Sequence, residues 1–257
     1  MTIFYRLQKE PVIDHPCVFT FGTFDGVHLG HRHIFESQAQ EAKRLNMPTG
    51  ILTFSNHPSE VLTPGQKVAQ LTSDVQKLKQ LAIYGFSVVV DVAFDATMSK
   101  LSADEFLKAV QNMVPFSSLV VGADVSFGKD RKGNRNFLSK FNNEFSLMLV
   151  DKFCIDGEPV SSSRIRQLIS EGNFTEAAQL LGRPYCIEVK RTAETEWDPL
   201  QYVLPPKGIY TAKVRFNDRD YWHETEVKVS SILEFEERSL ESHSAEVEFT
   251  KALRESA

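Results

Sequence analysis

The chain has 257 residues, of which 42% are hydrophobic and 25% charged, with a formal net charge of −5. That composition suits one large globular domain or an ordinary domain plus a small one, and excludes a disordered polyelectrolyte. The acidic balance argues against nucleic acid as the main partner, so a phosphate-bearing ligand needs a local site rather than a global basic field.

The N-terminal "MTIFYRLQKEP" lacks the apolar core of a signal peptide, and no apolar run approaches about 18 residues. A cytoplasmic protein that does not span a membrane is expected. Through residues 1–180 the chain alternates β-branched runs with amphipathic ones. "CVFTFG" reads as a buried strand, and "LGHRHIFESQAQEAKRLN" as a helix with Ile34, Phe35, Ala39 and Ala42 near one face. "TGILTFS" is the next strand, followed by a helix "TSDVQKLKQLAIYG" capped by Thr72 or Ser73 and stopped at Gly85. The third strand is "FSVVVDV", and "SADEFLKAVQNMV" a capped helix. "SSLVVG" and "FSLMLVDKF" complete five strands, and two helices follow, "SSSRIRQLISEGN" and "FTEAAQLLG". Strands that are apolar on both faces and separated by helices predict an α/β fold, a doubly wound parallel sheet. Such sheets bind ligands at the carboxyl ends of their strands.

After Gly182 the pattern changes to short strand-like runs, "CIEVKRT", "GIYTAKVRF", "TEVKVSSILEF" and "SAEVEFTKAL", with turn signals "LPPKG" and "NDRD" between them. These predict a small antiparallel β unit. Cys17, Cys154 and Cys186 form no CxxC pair and are expected as buried free thiols in a reducing compartment.

The chemistry concentrates in "FGTFDGVHLGH", Phe21 to His31. A strand, a Gly-rich turn and a helix aim backbone N–H groups and the positive helix end at a phosphate. The segment matches neither a Walker A loop nor a G-x-G-x-x-G fingerprint. It carries His28 and His31 on either side of Gly30, and Gly30 permits close approach by a ligand. Imidazoles there can donate hydrogen bonds to phosphate oxygens as charge develops during phosphoryl transfer. A metal site built from His28, His31, His33 and Asp25 is the rival reading, but the spacing is not a recognised ligand pattern. His33 faces another way on the helix and reads as surface or core.

"FGTFDGVHLGH" resembles the signature of the HxGH nucleotidyltransferase superfamily, whose members join a nucleoside monophosphate to a phosphorylated acceptor and release pyrophosphate. Three more blocks narrow the acceptor. "LTFSNHP", "VVGADVSFGKDRKGN" and "VSSSRIRQLISEGNFTEAAQLLGRPY" resemble, in order and spacing, blocks of the bacterial riboflavin kinase/FMN adenylyltransferase family, the FAD synthetases. The resemblance covers most of residues 15–185. It implies ATP and FMN as substrates and Mg²⁺ entering as the ATP complex, with no dedicated protein metal site. It makes His28, His31, Ser162 and Arg166 catalytic. Gly22, Thr23, Phe24, Gly30, His31, Val160, Ser161, Ser162, Ser163 and Arg166 fall on its ATP side. Phe54, His57, Pro58, Asp124 and Phe127 fall on its FMN side. Ser163 stands where the family usually has Thr, and Ala123, Val125 and Ser126 depart from its usual residues. Lys129, Arg131 and Lys132 read either as a solvated turn or as a flap that screens anionic substrates, and Arg164 as plain surface.

The resemblance divides the chain into residues 1–184, the nucleotidyltransferase domain, and 185–257, a shortened riboflavin-kinase-like β domain. "LPPKGIYTAKV" resembles a kinase segment, and "VEFTKALRES" a late barrel strand beginning a closing helix. Nowhere does the chain contain the kinase's Gly-x-Pro-Thr-x-Asn block, whose oxygen ligands hold Mg²⁺ and ATP. Adenylyl transfer without riboflavin kinase activity is therefore expected. The alternatives are an adenylyltransferase for another phosphorylated acceptor and a non-catalytic flavin-binding regulator.

Overall fold

A six-stranded, wholly parallel sheet organises the first of two units in the computed structural model, which describes residues 2–4, 10–63, 65, 68–235 and 242–255. The units are Met1–Val68 with Leu78–Pro159, and Ala69–Lys77 with Val160–Ala257. In chain order the first part reads β1 (Thr2–Phe4), β2 (Cys17–Phe21), α1 (Leu29–Leu45), β3 (Thr49–Phe54), α2 (Ser59–Leu62), α3 (Asp74–Ala82), β4 (Val88–Val92), α4 (Ala103–Met113), β5 (Phe116–Gly122), α5 (Arg135–Leu138) and β6 (Ser146–Val150). A short hairpin of β7 (Cys154–Ile155) and β8 (Glu158–Pro159) follows.

The strand order is β1-β4-β3-β2-β5-β6. From β2 the chain adds β3 and β4 on one side, then crosses to β5 on the other, so the order reverses at β2. Every residue of β2 and of β4 is buried, as a strand covered on both faces requires. Alternate residues divide between two cores. Phe19, Phe21, Leu52, Val90, Leu119 and Val121 pack with Phe106, Leu107 and Val110 of α4. On the opposite face Ile51 and Val89 pack with Phe35 of α1.

Ser102 and Glu105 close a capping box on α4. At α3 the cap is Ser73, whose hydroxyl accepts from the Gln76 N–H at 3.1 Å. The buried face of α1 is Phe35, Gln38, Glu41 and Ala42; Ala39, expected inside, is exposed. Gln38 is fully buried because its amide donates to the Val18 and Gly50 carbonyls, each at 2.8 Å, and so ties the helix to β2 and β3. The edge strand β1, three residues in register with Val88–Val90, is one more than the sequence reading gave.

The second unit holds α6 (Ser162–Ser170), α7 (Phe174–Leu181) and the strands β9 (Cys186–Arg191), β10 (Glu196–Asp198), β11 (Gly208–Phe216), β12 (His223–Val229), β13 (Leu233–Glu234) and β14 (Ser244–Glu255). The six strands close into an antiparallel barrel in the order β10-β13-β12-β11-β14-β9. β11 alternates buried and part-buried without a break. Trp197, wholly buried, stacks on Phe235 at 5.0 Å between ring centroids. Phe174 of α7 stacks on Phe249 of β14 at 5.3 Å.

Two expectations change here. The segment expected to begin a closing helix stays in β14 as far as Glu255, pairing with Gly208 of β11. Two register shifts along this pair accommodate the twelve-residue strand; Ser256 lies outside the described residues. Of the three thiols, Cys17 is buried and Cys186 intermediate, but Cys154 is exposed, because β7 belongs to a surface hairpin rather than the main sheet. Among the described residues no helix is long and apolar enough to cross a membrane.

Candidate active site

The turn Gly22–His28 leaves β2 where the strand order reverses, the position at which open α/β sheets bind ligands. Its backbone is strained. Phe24 has φ +48°, Gly26 φ +86° and Val27 φ +40°, and a positive φ is a true outlier for a β-branched residue. The surroundings over-determine it. Phe24 is 3% exposed, with its ring edge-on to Phe35 at 5.0 Å, and Val27 is 1% exposed. Thr53 at the end of β3 donates its hydroxyl to the Thr23 carbonyl at 3.2 Å. A Cβ on Gly22 would stand 3.0 Å from the Phe24 ring. Strain of this kind costs roughly 1–3 kcal/mol per residue and concentrates at functional sites.

The turn delivers His28 as the N-cap of α1. Its Nδ1 accepts the His31 backbone N–H at 3.3 Å. The same N–H also donates to the His28 carbonyl at 2.9 Å, and an acceptor Nδ1 favours the tautomer with its proton on Nε2. The His28 and His31 rings stack 3.6 Å apart at 17°, and His31 also meets the Phe24 ring edge-on at 5.2 Å. One strained turn thus brings the two imidazoles together with Thr23, Phe24 and Gly30. The first turn of α1 carries no acidic side chain that would oppose an anion.

The loops after β3 and β5 carry the flavin-side candidates. Asn56 makes a two-way bond with the Phe94 backbone, donating to its carbonyl at 3.0 Å and accepting its N–H at 2.7 Å. Phe54 packs edge-on against Phe94. His57 Nδ1 lies 2.7 Å from the Ser59 hydroxyl, and Pro58 leads into α2. Phe127 sits among Phe21, Phe106 and Phe137. Its backbone pairs with Gly133 in both directions at 2.9 Å, and a Cβ on Gly133 would be 2.7 Å from the Phe127 ring. The basic loop is therefore pinned at its base, while Lys129, Arg131 and Lys132 are exposed. Asp124 is exposed and pairs with Lys152 at 3.1 Å.

The Ser-Arg block lies in the second unit. Val160 is buried, and Ser161 is the N-cap of α6, its hydroxyl accepting the Arg164 N–H at 3.2 Å. Ser162 opens the helix and Ser163 is exposed. Arg166 donates from Nε to the Ala69 carbonyl at 2.8 Å. Arg164 is not plain surface: it bonds Glu176 at 2.9 Å and links α6 to α7. Sequence reasoning passed over Thr53 and Asn56, the side chains that hold the strained turn and the β3 loop. The signal for them was their place in "LTFSNHP", which spans the end of β3 and the loop after it.

The model of the FAD synthetase family matches residues 10–164, more than half of the chain. The chain belongs to the FAD synthetase family. The match takes in the two histidines and all three serines of the helix cap, and stops short of Arg166. The chain is 34% identical over 214 residues to the bifunctional riboflavin kinase/FMN adenylyltransferase of Listeria monocytogenes, covering 78% of this chain and 68% of that protein. It is likewise 34% identical over 224 residues to the protein of the same name from Escherichia coli strain K12, covering 82% and 71%. Among solved structures, the macrolide-efflux protein from Streptococcus pneumoniae superposes with a TM-score of 0.85 over 100% of this chain and 92% of that one. At 20% identity that likeness speaks for the fold alone. Among the described residues no three His, Cys, Asp or Glu side chains converge as a metal site. A cavity of about 370 Å³ opens on the barrel between Lys213, Trp222, Glu224 and Glu248, none of which is a candidate named above.

Proposed function

We propose that this protein is an FMN adenylyltransferase, converting FMN and ATP to FAD and pyrophosphate. A terminal phosphate oxygen of FMN attacks the α-phosphorus of ATP; the bond from that phosphorus to the bridging oxygen of the pyrophosphate breaks, and pyrophosphate leaves. The stacked His28–His31 pair at the mouth of α1 carries the reading. With Nδ1 of His28 engaged as the helix cap, its Nε2–H is the donor for the charge that develops around the α-phosphate. No covalent enzyme intermediate is needed.

Ser162 and Arg166 are assigned to the departing pyrophosphate on the strength of the family blocks, and Val160, Ser161 and Ser163 to the same phosphates. Gly22, Thr23, Phe24 and Gly30 take the adenylate side. The Phe24 ring is engaged in the core, so its part is played by its backbone. Phe54, His57, Pro58, Asp124 and Phe127 are assigned to FMN. Mg²⁺ arrives as the ATP complex and supplies charge neutralisation on the phosphates, which suits a site built of imidazole, hydroxyl and guanidinium donors. Residues 1–184 carry this activity, and 185–257 form a kinase-like β domain without the kinase motif. We place the protein in the cytoplasm with ATP and FMN, rather than nucleic acid, as its partners.

Incubation with FMN, ATP and Mg²⁺, followed by chromatographic separation of the flavins, tests the reading. FAD and pyrophosphate should form in equal amounts. FMN left untouched while phosphopantetheine or nicotinamide mononucleotide is adenylylated would overturn the acceptor. Riboflavin turned into FMN at an enzymatic rate would overturn the loss of kinase activity.

A further inference from the structure

The segment Ala69–Lys77 belongs to the barrel-bearing unit, and four sets of bonds fasten it there. Gln70 bridges Tyr202 in a parallel pairing: its N–H donates to the Gln201 carbonyl at 2.7 Å, and its carbonyl accepts from the Val203 N–H at 3.0 Å. The Ser73 hydroxyl donates to Glu188 of β9 at 2.8 Å. Gln76 donates from its amide to the Cys186 carbonyl at 3.3 Å. Tyr202, 7% exposed, donates its hydroxyl to Gln76 Oε1 at 3.0 Å. That same oxygen accepts the Ser73 N–H at 3.1 Å, so the tyrosine completes the cap of α3.

The free end of this strap is Ala69, whose carbonyl accepts from Arg166 Nε at 2.8 Å. A bond at Nε fixes the plane of a guanidinium and hence the direction of its terminal nitrogens. We infer that Tyr202 is a positioning residue for Arg166, acting through the strap Gln76–Ser73–Gln70–Ala69, an inference that rests on the phosphate-holding role proposed for that arginine. A barrel that has lost its kinase block thereby keeps a part in adenylyl transfer: it holds the carbonyl against which the arginine is set.

The test is a double-mutant cycle in the full-length chain, with Tyr202→Phe, Arg166→Ala and both together. ATP affinity is read by calorimetry, KM for ATP and kcat by FAD formation, and folding by thermal melting. Tyr202→Phe keeps the ring and removes the hydroxyl, with its bonds to Gln76 at 3.0 Å and Glu188 at 3.5 Å, and should weaken ATP binding about fivefold while changing kcat less. In the Arg166→Ala background the same change should have no further effect on ATP. An equal loss in both backgrounds, or none in the wild-type background, overturns the inference. Should Tyr202→Phe melt at assay temperature, Ser73→Ala, which unties the strap at Glu188, takes its place in the same cycle with the same outcomes. Unchanged ATP affinity and turnover in Arg166→Ala alone would instead remove the arginine from the site, and Tyr202 with it.

Discussion

His28 caps α1 with Nδ1 and is proposed to donate from Nε2, and a pair of substitutions separates the two tasks. His28→Ala removes both the Nδ1 that accepts the His31 N–H and the proposed Nε2–H donor. His28→Asn restores a side-chain oxygen at a position where Asn is among the favoured caps, and still lacks the imidazole. Loss of the cap costs about 1 kcal/mol. In a unit of roughly 150 residues that lowers the melting temperature by about 2–4 °C. Loss of a donor to the developing charge costs about 100- to 1,000-fold in turnover, by analogy with oxyanion-hole donors. His28→Ala should therefore be both less stable and slow, whereas His28→Asn should be slow at nearly wild-type stability. Thermal melting gives the first quantity. Initial rates of FAD formation at saturating FMN and varied ATP give the second, and the loss should fall on kcat more than on KM. His28→Asn turning over within tenfold of wild type would refute the role of the imidazole. Equal stability of His28→Ala and wild type would refute the cap.

Three further outcomes follow from the packing and electrostatics. Gly133→Ala drives a methyl group into the Phe127 ring, 2.7 Å from three of its carbons; overpacking of this kind costs about 1–3 kcal/mol, and an unchanged melting temperature would show that the loop yields freely. Burial pushes the Cys17 thiol up to about 12, and burial with the nearby Glu246 and Glu248 carboxylates does the same for Cys186. At pH 8 a thiol reagent should thus label Cys154 alone in the folded protein and all three cysteines after denaturation. Hydrogen bonds from Arg44 hold the buried Glu41 carboxyl below the usual carboxylate range, with the Arg44 charge and Ser118 adding to the effect. A lowered carboxylate pKa stabilises the fold above the unfolded value of about 4.3 and ceases to do so as pH falls through the folded value. Glu41→Gln should accordingly flatten the decline of melting temperature below about pH 4.3, and an unchanged acid limb would refute this.

Continuous apolar runs made the sheet legible because strands such as β2 and β4 are buried on both faces. Local pattern failed where tertiary pairing overrode it. β1 has three residues and is a strand only because Val88–Val90 lie beside it. β10 is hidden in "TEWDP" and is fixed by the burial of Trp197 against Phe235. On α1 the pattern put Ala39 near the apolar face and passed over Gln38 and Glu41, since periodicity cannot show that a polar side chain will find buried partners. The histidine corner was legible because spacing alone puts His28 and His31 at a helix mouth. What spacing could not reveal is that the corner depends on positive φ angles at Phe24 and Val27, nor that Ser73, Gln76 and Arg166 share one segment of bonds with the barrel.

The strain of the turn and the tautomer of His28 are linked. An ordinary turn after β2 would start the helix with a free N-terminus and an imidazole able to point anywhere. With Phe24 and Val27 held at positive φ by burial, and Thr23 held by Thr53, the backbone enters α1 at one angle. At that angle His28 can accept the His31 N–H and lie flat on the His31 ring. The turn thereby orders the two imidazoles, and under the role proposed for them the strain serves preorganisation, which removes reorganisation from the cost of meeting a developing charge. Relaxing the turn, for example with Val27→Gly, would let the entry angle vary. Relief of the positive φ offsets only part of what losing this buried side chain costs in stability, so under the role proposed for the histidines the rate of FAD formation should fall further than thermal melting accounts for, and a rate that merely follows the melting temperature would refute the link.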